Sequence, residues 1–317
     1  MKVLVVMDPF STVNPAKDTS FGFLLAAGER GHATWYCTQD QLYAARNGRA
    51  ATWARRVEVF DRKEDFYREG PLEDLSLDHF DTVWMRKDPP VDRAYLHATY
   101  LLDLTDALVL NRPTGIRGAN EKLYALHFPD LIPETMVTRD ATRIRAWLAE
   151  RDEPLIVKPV DGHGGKGIFL LEKHDRNVPS VLETLTEEGT RWVMAQAYLP
   201  EARLGDKRII LIDGQPRGAI LRVPRGDDHR GNMHVGGTVQ ATTLTERERH
   251  ICARIAPRLR ADGLVFVGID VIGDYMTEVN VTSPTGIREI EALGGGRLGH
   301  EFVAWVEQRL GLASTRT

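Results

Sequence analysis

Apolar positions along the chain follow two patterns. Short continuous runs read as buried strands, and longer stretches repeat apolar residues every three or four positions and read as helices. Val3 to Met7 predicts a first strand, closed by Asp8-Pro9. Asp18 to Arg30 predicts a helix with Phe21, Leu24 and Leu25 on one face and Gly31 as its stop. Ala33 to Cys37, Thr82 to Arg86 and Leu108 to Asn111 read as further strands, with a helix over Ala94 to Asp106. This alternation predicts a small doubly wound α/β domain with a parallel sheet over residues 1–118. The charged stretch Asp61 to Asp78 shows no period and is expected to be an irregular surface connection.

Beyond residue 118 the pattern changes. A short helix is expected to carry Asn120-Glu121-Lys122, followed by strand Met136 to Thr138, helix Ala141 to Glu150 and strand Leu155 to Lys158. A glycine-rich loop, strand Ile168 to Glu172 and a helix through Leu185 complete an α+β lobe over 119–192. Trp192 to Tyr198 and Lys207 to Ile212 open a third, largely antiparallel lobe over 193–317. Asp213-Gly214 is its two-residue hairpin turn. Residues 223–243 hold four glycines without a period, as a mobile loop over a site would. Helix Thr245 to Asp262 then precedes an acidic hairpin.

Composition narrows the function classes. The chain has 317 residues, 27% of them charged, with a net charge of −4 and no basic tract, so no nucleic-acid partner is expected. No apolar run reaches membrane-spanning length, and the apolar amino terminus is cut too short by Asp8-Pro9 for a signal peptide. Cys37 and Cys252 stand far apart and outside any metal or redox motif, which fits a reducing cytoplasm.

The acidic hairpin carries the most chemistry. Strand Leu264-Val-Phe-Val-Gly-Ile runs into Asp270, turns at Gly273-Asp274 and returns through Glu278 and Asn280. Residues two apart on a strand share a face, so Glu278 and Asn280 point together and the turn brings Asp270 beside them. Three such oxygen side chains suit Mg²⁺ or Mn²⁺, with phosphates completing the shell. Lys158 precedes the loop Asp161-Gly162-His163-Gly164-Gly165-Lys166-Gly167, whose glycines, Gly164 and Gly165 among them, allow close phosphate approach. Lys122 and Lys158 would supply point charges to those phosphates. The loop alone is a weak signal, since a plain turn reads the same way.

Met194 to Pro200, including Gln196, Tyr198 and Leu199, is either a hinge offering its backbone to a purine edge or a simple linker. Arg86 and Arg222 end strands and are candidate anion clamps, Arg208 follows Asp206-Lys207, and Arg230 lies in the long loop. Ser283-Pro284-Thr285-Gly286 leads into helix Ile287 to Ala292, as a carboxylate site, a helix cap, or both.

Taken together, Met7-Asp8-Pro9, Lys17-Asp18-Thr19-Ser20-Phe21, Met85-Arg86-Lys87-Asp88-Pro89-Pro90, Asn120-Glu121-Lys122-Leu123, Met194-Ala195-Gln196 and Glu278-Val-Asn280-Val-Thr282-Ser283-Pro284 closely resemble the bacterial glutathione synthetases of the ATP-grasp superfamily. The likeness spans essentially the whole chain. It implies an ATP-grasp fold with an N-terminal doubly wound parallel-sheet domain. It implies ATP-dependent joining of γ-glutamylcysteine to glycine through an acyl phosphate, releasing ADP and phosphate, in a cytoplasmic homotetramer. By position, Lys122, Lys158, Gly164, Gly165, Gln196, Tyr198, Leu199 and Asp206 match ATP contacts. Asp270, Glu278 and Asn280 match the ligands of Mg²⁺ (or Mn²⁺). Arg208, Arg222 and Arg230 match catalytic arginines, and Arg86, Ser283 and Thr285 match peptide-substrate contacts. The segments His163 to Gly167 and Gly294-Gly295-Gly296 depart from the family wording. Two rivals stand beside this reading: a superfamily ligase with another dipeptide or acceptor amine, and an ATP-binding protein without catalysis.

Overall fold

The computed structural model describes residues 1–162, 164–165, 167–224 and 237–312. The opening apolar run becomes the central strand β1 (Lys2–Val6), in which Val3 to Val6 are fully buried. Strands β2 (Ala33–Cys37), β3 (Leu42–Ala44), β4 (Ala50–Val59), β5 (Tyr67–Ser76), β6 (Thr82–Met85) and β7 (Leu108–Leu110) follow, in the order β3-β4-β2-β1-β6-β7 with β5 on β4. The β2-β1-β6-β7 core is parallel, as expected, whereas β3, β4 and β5 add an antiparallel extension. Helices α1 (Thr19–Glu29), α2 (Arg93–Leu101) and α3 (Pro113–Gly118) supply the connections. Asp18 caps α1 by accepting from the Phe21 N–H at 2.7 Å.

The expected irregular connection over Asp61 to Asp78 is corrected here. Most of it is β5, paired from Val59–Tyr67 to Ala51–Ser76. No residue of β5 is buried, so selection for an apolar face, the source of a period-two signal, is absent.

The second lobe comprises β8 (Thr135–Thr138), α4 (Ala141–Ala149), β9 (Leu155–Pro159), β10 (Phe169–Leu171), α5 (Val178–Thr186) and β11 (Val193–Ala197). Its antiparallel sheet runs β10-β9-β11-β8. Ile144 and Leu148 of α4 and Leu182 and Leu185 of α5 cover one face. Two readings change. β11 hydrogen-bonds into this sheet, so residues 193–197 belong on the near side of the boundary drawn at 193. Asn120-Glu121-Lys122 is a turn, not a helix, because the Asn120 side chain accepts from the Lys122 and Leu123 N–H groups and diverts the backbone.

The third lobe is built on β12 (Asp206–Ile212), β13 (Gln215–Val223), β14 (Thr238–Ala241), α6 (Glu246–Asp262), β15 (Phe266–Ile272) and β16 (Tyr275–Asn280), ordered β14-β13-β12-β15-β16. The long loop is thus shorter than its sequence suggests, since residues 238–241 pair with β13. Alternation along β12 divides the sheet. Ile209 and Leu211 pack with Ile251, Ile255 and Leu259 of α6. Ile210 and Ile212 join Phe23 of α1, with α7 (Ile287–Ala292) and α8 (Leu298–Arg309), in a shared core. The sheet therefore buries one face against the first domain, and Arg208 and Asp206 lie on that same face.

Asn111 pins the two sheets at their edge. Its amide donates to the carbonyls of Phe266 and Val281 and accepts from the N–H groups of Val265 and Phe266, all at 2.8 Å. Asn111→Ala leaves those buried groups unpaired and is expected to cost about 3 kcal/mol. Denaturant unfolding checks this, and a loss under about 1 kcal/mol would show that water replaces the amide.

Candidate functional site

The acidic hairpin forms as expected. Asp270 on β15 stands opposite Glu278 on β16, and Gly268 opposite Asn280. Asn280 donates its amide to the Gly268 carbonyl at 3.3 Å and to Asp270 Oδ2 at 3.4 Å, leaving its own carbonyl oxygen for a ligand.

Asp270 is buried and held by two arginines from neighbouring strands. Arg208 on β12 engages both its oxygens, the Nη2–Oδ2 contact at 2.8 Å, and Arg222 on β13 reaches Oδ2 at 2.9 Å. Burial alone would raise the Asp270 carboxyl, but the two guanidinium charges outweigh it and hold the acid well below the usual range. Arg222 also engages Asp206 in a fork, which lies opposite it in the strand register. Burial disfavours the Arg222 charge, yet Asp270 and Asp206 more than offset this.

Glu278 pairs with Lys122 at 3.0 Å. Burial raises its carboxyl, and the charges of Lys122 and Lys158 override that and lower it. The Lys122 ammonium also donates to the Gly162 carbonyl, tying the site to the glycine loop. Lys158, buried at the end of β9, has no ion pair among the described residues and donates to the Thr277 carbonyl at 3.5 Å. Burial pushes its ammonium down to about 8. An unpaired cation in such a position favours an incoming anion.

Lys122, Lys158, Arg222, Asp270 and Glu278 line one cleft between the second and third lobes, together with Gly164, Gly165 and Asp206, while Arg208 and Asn280 stand behind Asp270. Gly164 and Gly165 adopt φ of 63° and 75°, which a β-carbon would strain. At the far end Ile156, Ile168 and Ile272 make apolar walls beside Gln196, Tyr198 and Leu199. The Gln196 side chain turns to Thr135 Oγ1 at 3.0 Å. The Tyr198 N–H is taken by the Pro154 carbonyl at 3.1 Å, which orients this segment at the cleft. His163, Lys166 and Arg230 lie outside the described residues.

The remaining candidates sit apart from the cleft. Arg86 is buried between Phe23 and Phe266, 5.4 and 5.3 Å from the ring centres, and donates to Ser20 Oγ and the Pro284 carbonyl. Ser283 donates to Asp88 Oδ1 at 2.5 Å, and the Thr285 carbonyl accepts from Arg208 at 3.3 Å. They form the seam between the first domain and the hairpin. Glu121, which the sequence reading passed over, fixes the hairpin's exit. Its Oε1 accepts from the Val281 N–H and from the Thr282 N–H and hydroxyl. Its signal was its place directly before Lys122.

The donor set fits a divalent cation shared with phosphates. Among the described residues no three His, Cys, Asp or Glu side chains form a metal cluster. Two carboxylates and an amide oxygen on one hairpin face make an incomplete shell, the kind Mg²⁺ uses when substrate oxygens supply the rest.

Residues 1–117 match the N-terminal domain of prokaryotic glutathione synthetase, and residues 121–295 match its ATP-grasp domain. The chain belongs to the prokaryotic glutathione synthetase family. It is 50% identical to the glutathione synthetase of Gloeobacter violaceus over 96% of both chains. It is 48% identical to that of Thermosynechococcus vestitus, over 96% of this chain and 99% of the relative. Its fold resembles D-cycloserine synthetase at a TM-score of 0.69, with 15% identity over 97% of this chain and 99% of that one. The protein is an ATP-dependent ligase of ATP-grasp fold, and its family works with ATP and a divalent metal. No helix among the described residues is long and apolar enough to cross a membrane.

An anion bound beside Lys158 would favour its charged form and raise its pKa from about 8. Between pH 8 and 10, ATP binding is therefore expected to take up protons. Calorimetric titration in buffers of different ionisation enthalpy reads this uptake. Lys158→Arg, which stays charged, abolishes it; uptake unchanged in that variant would place the proton elsewhere.

Proposed function

We propose that the protein joins γ-glutamylcysteine to glycine at the expense of ATP, forming glutathione, ADP and phosphate. The observation that carries this reading is the convergence on one cleft with apolar walls of Lys158, buried and without an ion pair among the described residues, the acidic pair Asp270 and Glu278, and Arg222. The cysteinyl carboxylate of γ-glutamylcysteine attacks the γ-phosphorus of ATP, and ADP leaves. The glycine amine then attacks the resulting acyl phosphate carbon, loses a proton and displaces phosphate.

No side chain need become covalently attached, so the residues act by position and charge. Lys122 and Lys158 hold the phosphate chain, with the backbone of Gly164 and Gly165 close to its oxygens. Gln196, Tyr198 and Leu199 flank the base between the isoleucine walls, and Asp206 orients Arg222. Asp270, Glu278 and Asn280 would hold Mg²⁺ or Mn²⁺, which neutralises charge on the phosphate oxygens. Arg222 and Arg208 stabilise charge that develops on the carboxyl oxygen, a role that kinship extends to Arg230. Arg86, Ser283 and Thr285 build the seam against which the peptide substrate lies. We place the enzyme in the cytoplasm, where Cys37 and Cys252, both buried, stay reduced. We also read it as a homo-oligomer, a tetramer by kinship. Trp53 and Leu72, 44% and 42% exposed on the outer strands β4 and β5, offer an apolar contact for a second copy.

The test is ADP release with Mg²⁺-ATP, γ-glutamylcysteine and glycine, omitting each in turn. Release is expected to need all of them and to yield a tripeptide by mass. Turnover indifferent to glycine would point to another acceptor amine. Glu278→Ala is expected to lower kcat by at least about 100-fold, and near-normal turnover would remove the hairpin from the metal site.

A further inference from the structure

β16 is an edge strand: β15 lies on one side of it and no strand on the other. Such an edge leaves every second N–H pointing outward without a ladder partner. Here those groups are taken by the chain that enters the second lobe. The Met276 N–H donates to the Leu131 carbonyl at 2.8 Å, and the Val279 N–H to the Glu121 carbonyl at 2.9 Å. The next outward N–H, that of Val281, donates to Glu121 Oε1 at 2.9 Å. The Thr282 N–H and hydroxyl reach the same oxygen at 3.2 and 2.9 Å. Glu121 thus serves two successive outward positions of the edge, with its main chain at 279 and its side chain at 281. Asn280 lies between them.

The Asn280 side chain does little to place itself. Its amide makes only long contacts, 3.3 Å to the Gly268 carbonyl and 3.4 Å to Asp270 Oδ2. Where its carbonyl oxygen stands is therefore decided by the backbone, and the backbone is held tightly on both sides. Val281 is fixed at both of its polar groups, the N–H by Glu121 and the carbonyl by Asn111 at 2.8 Å. The residues flanking Glu121 are tied down as well. Asn120 donates to the Val160 carbonyl at 3.1 Å, and Lys122 joins Glu278 to the Gly162 carbonyl. An ionised carboxylate suits the clamp, because three donors share one oxygen and hydrogen bonds to a charged acceptor are the stronger kind. Thr282 is buried, so losing that oxygen would leave its hydroxyl without a partner.

We infer that Glu121 is a positioning residue for the divalent cation. It fixes the edge of β16 on either side of Asn280, so that the Asn280 oxygen faces the same way as the Glu278 carboxylate. This rests on the metal site proposed above and adds the group that sets its geometry. Without the clamp the strand end frays toward solvent, and the third ligand leaves the face that Asp270 and Glu278 share.

The test is Mn²⁺ binding, read from the electron paramagnetic resonance signal of the free ion with a non-hydrolysable ATP analogue saturating. The wild type is compared with Glu121→Ala, Asn280→Ala and the double variant. Glu121→Ala is expected to weaken Mn²⁺ binding by roughly 10-fold or more, as loss of an outer partner of a ligand does. In the Asn280→Ala background the same change is expected to add no more than about twofold, because an absent side chain cannot be positioned. Glu121→Gln keeps an acceptor oxygen and is expected to bind within about threefold of the wild type. If Glu121→Ala does not fold, Glu121→Asp, which withdraws the carboxylate by one methylene, is expected to weaken binding by at least about threefold. A folded variant with lower Tm and unchanged Mn²⁺ affinity reduces Glu121 to a structural role and overturns the inference. Effects that multiply in the double variant overturn it too, since Glu121 would then act on the ion independently of Asn280. Unchanged affinity in Asn280→Ala overturns the hairpin metal site itself, and this inference with it.

Discussion

Everything at the site hangs on the carboxylate of Asp270. It is buried on the face of the third sheet that packs against the first domain, and it takes its charge balance from Arg208 and Arg222 on two other strands. Removing water from an acid costs several kcal/mol unless opposite charge and hydrogen bonds replace it. Here β12 and β13 provide both, so the pairing that keeps Asp270 ionised also fixes those strands to β15. Asp206 continues the chain by binding Arg222. An ionised acid is what a divalent cation requires, so fold stability and readiness for metal rest on the same contacts. The same balance explains why breaking it at one partner would be worse than its net worth suggests, since the remaining charge would stay buried.

The two lysines complete a division of labour. Lys122 is satisfied by Glu278 and the Gly162 carbonyl, so it joins the hairpin to the glycine loop even without substrate. Lys158 is left with one weak contact and a depressed ammonium. A cleft with every charge paired would bind nothing strongly, because each new contact would replace an old one. A cleft whose buried Lys158 has no ion pair among the described residues gains when an anion arrives.

Much of this was legible in the sequence. The hairpin from Asp270 to Asn280, the Asp213-Gly214 turn and the helix before the hairpin follow from local rules. In that helix Thr245 and Glu248 form a capping box. Periodicity failed where burial did not shape it. β5 has no fully buried residue and reads as charged coil, and β11 reads as the start of a lobe because its partners β8 and β9 lie far away in sequence. The Asn120 turn was missed because one side-chain oxygen overrides the helical tendency of its neighbours. Arg86, a good candidate clamp at a strand end, proves to be sandwiched between aromatic rings from two domains. No local pattern reports a contact made 180 residues away.

Glu289 shows the limit of sequence reading most clearly. In Ile287-Arg-Glu289-Ile290 it looks like an ordinary first-turn acid, favoured there by the helix dipole. Its meaning depends on what surrounds it, and what surrounds it is the end of another domain. A chain under selection for stability alone would replace a buried, unpartnered carboxylate with an amide or an apolar group.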